Sequence, residues 1–164
     1  MHRTNVARKV QPGEELTITY INNPLQSRRE RQRMVKKWTG SECSCSLCSA
    51  SKDVIKASED RLKEIRRLQA KLADHESKGV TKAMVDRYVK LFKDERLETR
   101  LADAYELVAT NYNYLGYSKE AARYATLSAQ AGTIEGGSEA NNVIAMRILA
   151  KDPEGHYSYR MKVK

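Results

Sequence analysis

Between Ser51 and Leu149 the apolar residues recur at intervals of three and four, the spacing that lines up one face of an α-helix. Val54, Ile55, Leu62, Ile65, Leu68 and Leu72 predict a long helix to about Asp74, which Glu76-Ser77-Lys78-Gly79 breaks. Thr81 is placed to cap a second helix with the stripe Met84, Val85, Tyr88, Val89, Leu91 and Phe92. A third runs from about Leu97 through Leu101, Ala104, Tyr105, Leu107, Val108 and Tyr112 to Leu115, stopping at Gly116. Ser118 caps a fourth over Lys119–Ala131, which Gly132 is expected to end. A fifth covers Ser138–Leu149 and closes at Asp152-Pro153.

The first 50 residues read differently. Val6 and Val10 precede Pro12-Gly13, a turn pair in which Pro presets φ and Gly permits a positive one. Glu15-Leu16-Thr17-Ile18-Thr19-Tyr20-Ile21 then alternates as a strand, with Leu16, Ile18 and Tyr20 on one face. Leu25–Trp38, opened by Pro24, predicts a basic amphipathic helix. Its thin apolar stripe is Leu25, Gln32 or Met34, Val35 and Trp38. The fold class expected is mainly α, with a short β segment over residues 1–24.

Composition narrows the function classes. Of 164 residues, 31% are charged and 40% hydrophobic, and nine Tyr stand against one Phe and one Trp. With a mean hydropathy of −0.70, that suits a water-soluble helical chain better than a large β-sandwich core. The longest apolar run, Val143–Met146, is far too short to span a bilayer. The N-terminal residues have no apolar core like that of a secretory leader. Three Cys within six residues argue against a disulfide framework and for an intracellular chain, nuclear or cytoplasmic.

Net charge is +9, and residues 1–50 carry nine Lys/Arg against four Asp/Glu. Most of that excess is one helix, where Arg28, Arg29, Arg31, Arg33, Lys36 and Lys37 face only Glu30. No groove-reading motif accompanies them, so a solvated outer helix is expected rather than a nucleic-acid surface.

Cys43-Ser44-Cys45-Ser46-Leu47-Cys48 carries the chemistry. Three thiols spaced C-x-C-x-x-C in a short Ser-rich loop converge readily on one ion, and thiolate ligation points to zinc. A closed tetrahedral site needs a fourth donor. The sequence has no fourth Cys, and His2, His75 and His156 lie at no finger-like spacing.

Two resemblances follow from these strings. Small residues at Ala104, Ala109, Ala121, Ala122, Ala125 and Ala129, with Gly116 at the turn, resemble a tetratricopeptide-like helical hairpin. A generic helical bundle is the alternative. The string Pro12-Gly13-Glu14-Glu15-Leu16-Thr17-Ile18-Thr19-Tyr20-Ile21, the basic helix, and Cys43-x-Cys45-x-x-Cys48 together resemble the C-terminal half of a SET domain with its post-SET zinc loop. Asp152-Pro153-Glu154-Gly155-His156-Tyr157-Ser158-Tyr159 is similar to an ending found in SET/MYND (SMYD-like) proteins, especially fungal ones.

The resemblance implies protein-lysine methyltransferases that use S-adenosylmethionine, with histones among the substrates. It implies that Tyr20 walls the lysine channel, that Cys43, Cys45 and Cys48 bind zinc, and that the zinc loop folds over the cofactor. Residues 1–50 would be the C-terminal part of the SET domain and 51–164 a helical domain. The family's early Gly-containing strand, its Asn-His segment and its MYND cysteine cluster have no counterpart here, and Ser41 stands where relatives carry an aromatic. The expectation is an N-terminally truncated form, inactive by itself, with an incomplete zinc site. The alternative is a non-catalytic helical module whose zinc loop is vestigial. The expected partner is a protein substrate or peptide, not a membrane or nucleic acid. Unpaired strand edges would favour self-association.

Overall fold

A computed structural model describes Val6, residues 9–15, Ile21 and residues 23–163. Most of the strand expected over residues 15–21 lies outside the described residues, Tyr20 included, and so does His2. The described part is mainly helical. It contains α1 (Arg28–Thr39), α2 (Lys52–Ala73), α3 (Lys82–Asp94), a 3-10 turn (Glu98–Arg100), α4 (Leu101–Tyr114), α5 (Ser118–Gly136) and α6 (Asn141–Lys151). No helix among these is long and apolar enough to cross a membrane. The chain divides into two compact units, with the boundary inside α2. One is Val10–Arg67; the other is Leu68–Lys164 together with the described residues Val6 and Lys9.

In the first unit, the Pro12-Gly13 turn closes through the Glu14 N–H to the Gln11 carbonyl at 3.1 Å, with Gly13 at φ 87°. The helix expected from Leu25 starts three residues later. Ser27 forms a reciprocal capping box with Glu30 and fixes the first turn at Arg28. Gly40 ends it in the left-handed region at φ 77°. The expected apolar stripe fails at its end: Trp38 is 71% exposed, and burial falls on Leu25 and Arg31. Arg31 is tolerated inside because its guanidinium donates to the Gln26 carbonyl at 2.6 Å.

The second unit is a run of helices. α3 starts where expected, Thr81 accepting from the Met84 N–H, and it buries Val85, Tyr88, Val89, Leu91 and Phe92. It packs on α4, α4 on α5, and α5 on α6. Ala109, Ala125 and Ala129 let the last three helices approach closely around Val143, Met146 and Leu149. α5 does not stop at Gly132 but continues to Gly136. A Cβ at Gly132 would sit 2.9 Å from Val143 Cγ2, so this glycine is a contact surface for α6 and not a terminator. Residues 152–163, which show no periodicity, fold back on the end of α4. There the Arg160 and Lys162 N–H groups satisfy the Asn113 and Tyr114 carbonyls, each at 2.9 Å.

Candidate metal centre

The loop between α1 and α2 brings Cys43, Cys45 and Cys48 together, with all three sulfur atoms within 4.8 Å of one another. Tetrahedral zinc with Zn–S bonds of about 2.3 Å sets its sulfurs about 3.8 Å apart. The thiols therefore need to close only slightly on an ion, and the donor set fits zinc. No disulfide joins them. Cys48 is buried, Cys43 half-buried and Cys45 exposed.

α1 holds this loop by its backbone. Gln32 clamps Cys43 from both sides: its Oε1 accepts from the Cys43 N–H at 2.6 Å, and its Nε2 donates to the Cys43 carbonyl at 3.0 Å. Arg28 Nε donates to the Cys48 carbonyl at 2.9 Å, and the Arg28 N–H donates to Glu59 Oε1 on α2. A further turn closes from the Ser49 N–H to the Cys45 carbonyl at 3.0 Å. Two of the six basic residues of α1, Arg28 and Arg31, are thus spent on carbonyls inside this unit, while Arg29, Arg33, Lys36 and Lys37 face solvent. Sequence periodicity marked Gln32 only as an occupant of a thin stripe; its role as a clamp depends on where the loop returns.

Two of the thiols, Cys45 and Cys48, shift in opposite directions. Burial pushes the Cys48 thiol up to about 11, and the neighbouring Cys45 and Cys43 groups add to this. At Cys45 burial also raises the value. Hydrogen bonds from the Cys48 N–H and from the Cys43 and Cys48 thiols outweigh it, and the net direction is downward. Cys45 is also the exposed thiol and Cys48 the buried one, so Cys45 is the more open of the two to reagents from solvent.

No His, Asp or Glu among the described residues joins the three sulfurs. His75 is engaged by the Tyr114 hydroxyl at 2.6 Å from Nδ1. His156 Nδ1 meets the Ser158 hydroxyl at 2.7 Å and the Ser158 N–H at 3.3 Å. Because Ser158 Oγ accepts from Asn113 Nδ2 at 2.7 Å, its own proton points to His156, whose Nδ1 is then the acceptor. Burial lowers the His156 imidazole, in keeping with a neutral ring. The Asp152–Tyr159 motif therefore has a local structural role: the Asp152 carboxylate accepts from the Gly155 N–H at 2.9 Å, and His156, Ser158 and Asn113 pin the tail to α4. No protein-family model and no solved structure matches the chain.

Proposed function

We propose that the chain is the C-terminal part of a SET-type protein-lysine methyltransferase, a zinc-bearing post-SET loop followed by a tetratricopeptide-like helical domain. The observation that carries the reading is the convergence of the Cys43, Cys45 and Cys48 sulfurs within 4.8 Å, on a loop clamped by Gln32 and Arg28. It supports the reading because that loop follows the Gly13–Ile21 string at the place a post-SET loop takes. Zinc here would be structural, tying the loop to α1 and adding its binding free energy to folding.

In this reading the Tyr20 hydroxyl orients the ε-amine of a substrate lysine, which must be neutral and in line with the sulfonium of S-adenosylmethionine. The family's Gly-containing strand and Asn-His segment, which hold that cofactor, have no counterpart in these 164 residues. The chain alone is therefore inactive, and its zinc site takes a fourth donor from outside the three cysteines.

The test is a radiolabelled methyl-transfer assay on mixed histones, with the purified chain and with the chain co-purified with the N-terminal half of a SET/MYND enzyme. No turnover is expected from the chain alone, and turnover lost in Tyr20→Phe is expected from the pair. Turnover by the chain alone, or none from a well-formed zinc-loaded pair, refutes the reading.

A further inference from the structure

An open cleft of about 430 Å3 lies in the second unit, between the last turns of α2 and one face of α4. Gln69 and Leu72 line one wall; Asp103, Glu106, Thr110 and Asn111 line the other. Asp103, Glu106 and Thr110 fall three and four residues apart, so they form one stripe along α4. In a chain of net charge +9, this cleft is acidic.

Glu106 is half-buried. Burial and, behind it, the Asp103 carboxylate hold its carboxyl above the ordinary range. Asp103 is paired with Arg100 at 3.1 Å, but both side chains are about half exposed, so that bridge is easily exchanged.

Asn111 provides a second, independent sign of a ligand. It is completely buried, and it lines the same cleft. Its Nδ2 is spent on the Leu72 carbonyl at 3.0 Å and the Leu107 carbonyl at 2.9 Å. Its Oδ1 has no partner among the described residues. A buried amide oxygen left unpaired is costly, and a donor brought by a ligand recovers that cost.

We propose that this cleft binds a basic peptide, with a lysine or arginine side chain lodged between Asp103 and Glu106 and an N–H donor of the peptide reaching Asn111 Oδ1. Leu72, Ala73 and Leu107, on the cleft walls, suit the aliphatic stem of such a side chain. A bare metal ion suits the site less. Among the described residues only the three cysteines bring three metal-binding side chains together. The inference goes beyond the methyltransferase reading, which uses neither α4 nor this cleft, and it stands or falls separately.

The experiment is fluorescence anisotropy with a fluorescein-labelled peptide, Gly-Ser-Arg-Lys-Ser-Gly, and two counterparts in which Gln-Gln or Glu-Glu replaces Arg-Lys. The basic peptide is expected to bind saturably and more weakly as salt rises. Its affinity should fall at least about ten-fold in the Asp103→Asn, Glu106→Gln double variant, the scale of losing a charge-assisted bond. In the unaltered protein, heteronuclear NMR should show the Asn111 side-chain amide shifting on titration with the same peptide. That readout needs no variant to fold. Equal binding of the Gln-Gln peptide, preference for the Glu-Glu peptide, an unaffected double variant, or an unmoved Asn111 amide overturns the proposal. So does a double variant that abolishes self-association and leaves peptide binding unchanged, because the cleft then takes a basic segment of a second copy.

Discussion

Replacing Gly132 by alanine sets two effects of similar size against each other. In the interior of α5 the substitution removes the entropic handicap of glycine, worth about 1 kcal/mol in favour of the variant. The new methyl, however, would sit 2.9 Å from Val143 Cγ2, against an ordinary carbon–carbon contact of about 3.5–4.0 Å. Val143 has little freedom to give way. It is fully buried among Ala109, Ala125, Ala129, Met146 and Leu149, and a β-branched residue in a helix has essentially one χ1 well. Overpacking of this kind costs about 1–3 kcal/mol, so steric strain outweighs propensity.

Gly132→Ala is expected to lower stability by about 1 kcal/mol, or Tm by about 2–4 °C for a chain of this size. Gly136, in the last turn of the same helix, serves as the control. A Cβ there meets only Ala140 Cβ at 3.4 Å, so Gly136→Ala is expected to be neutral or stabilising. Thermal and urea unfolding followed by circular dichroism measure both. Combining Gly132→Ala with Val143→Ala should recover part of the loss, giving a favourable coupling of about 0.5 kcal/mol or more in a double-mutant cycle. A Gly132→Ala variant as stable as the parent, or a coupling of zero, refutes the argument that this glycine is kept for contact with α6.

Four further expectations rest on the same geometry. Asn111→Ala removes the donor to the Leu72 carbonyl near the end of α2 and should cost about 1–3 kcal/mol in urea unfolding; an unchanged midpoint would show that water replaces the amide. For Glu106, burial raises the folded-state carboxyl, so the folded protein holds that proton more tightly than the unfolded chain. Stability on this account is greatest below the ordinary value of 4.5 and declines as pH rises through the folded value. Glu106→Gln should therefore melt higher than the parent at pH 7, with the gap closing in acid, and a gap that widens in acid contradicts the sign. At the cysteine loop, iodoacetamide should alkylate Cys45 first and Cys48 last, with zinc protecting all three in mass spectra of the digested protein. Metal analysis should give less than one zinc per monomer, or one per chain only in a dimer that shares ligands; tight equimolar zinc in a monomer defeats the incomplete-site argument.

Much of the helical architecture was legible because its signals are local. The Leu62, Ile65, Leu68, Leu72 stripe and the Thr81 cap act within a turn or two of chain, and α2 and α3 formed where they predict. The errors came where a residue has two local uses. Gly132 has the conformational freedom of a helix stop, but α6 uses its lack of a side chain instead. Pro24 permits a helix start, yet Ser27 and Glu30 form a better one. Trp38 keeps the period of the apolar stripe but lies at the exposed last turn of α1, beyond the part that packs.

The candidate metal centre divides in the same way. The spacing of Cys43, Cys45 and Cys48 on a short loop already confines the three sulfurs to one neighbourhood, because so few backbone bonds separate them. Their ordering into a buried, a half-buried and an exposed thiol, and the Gln32 and Arg28 clamps behind them, came only from the return of the loop against α1. The acidic cleft and the unpartnered Asn111 oxygen were likewise decided by tertiary structure. The α4 sequence states that Asp103, Glu106 and Thr110 share a stripe, but not that α2 stands opposite them. Periodicity records which positions line up along one helix. Which surface they meet depends on how distant segments pack, and a local pattern holds no information about that.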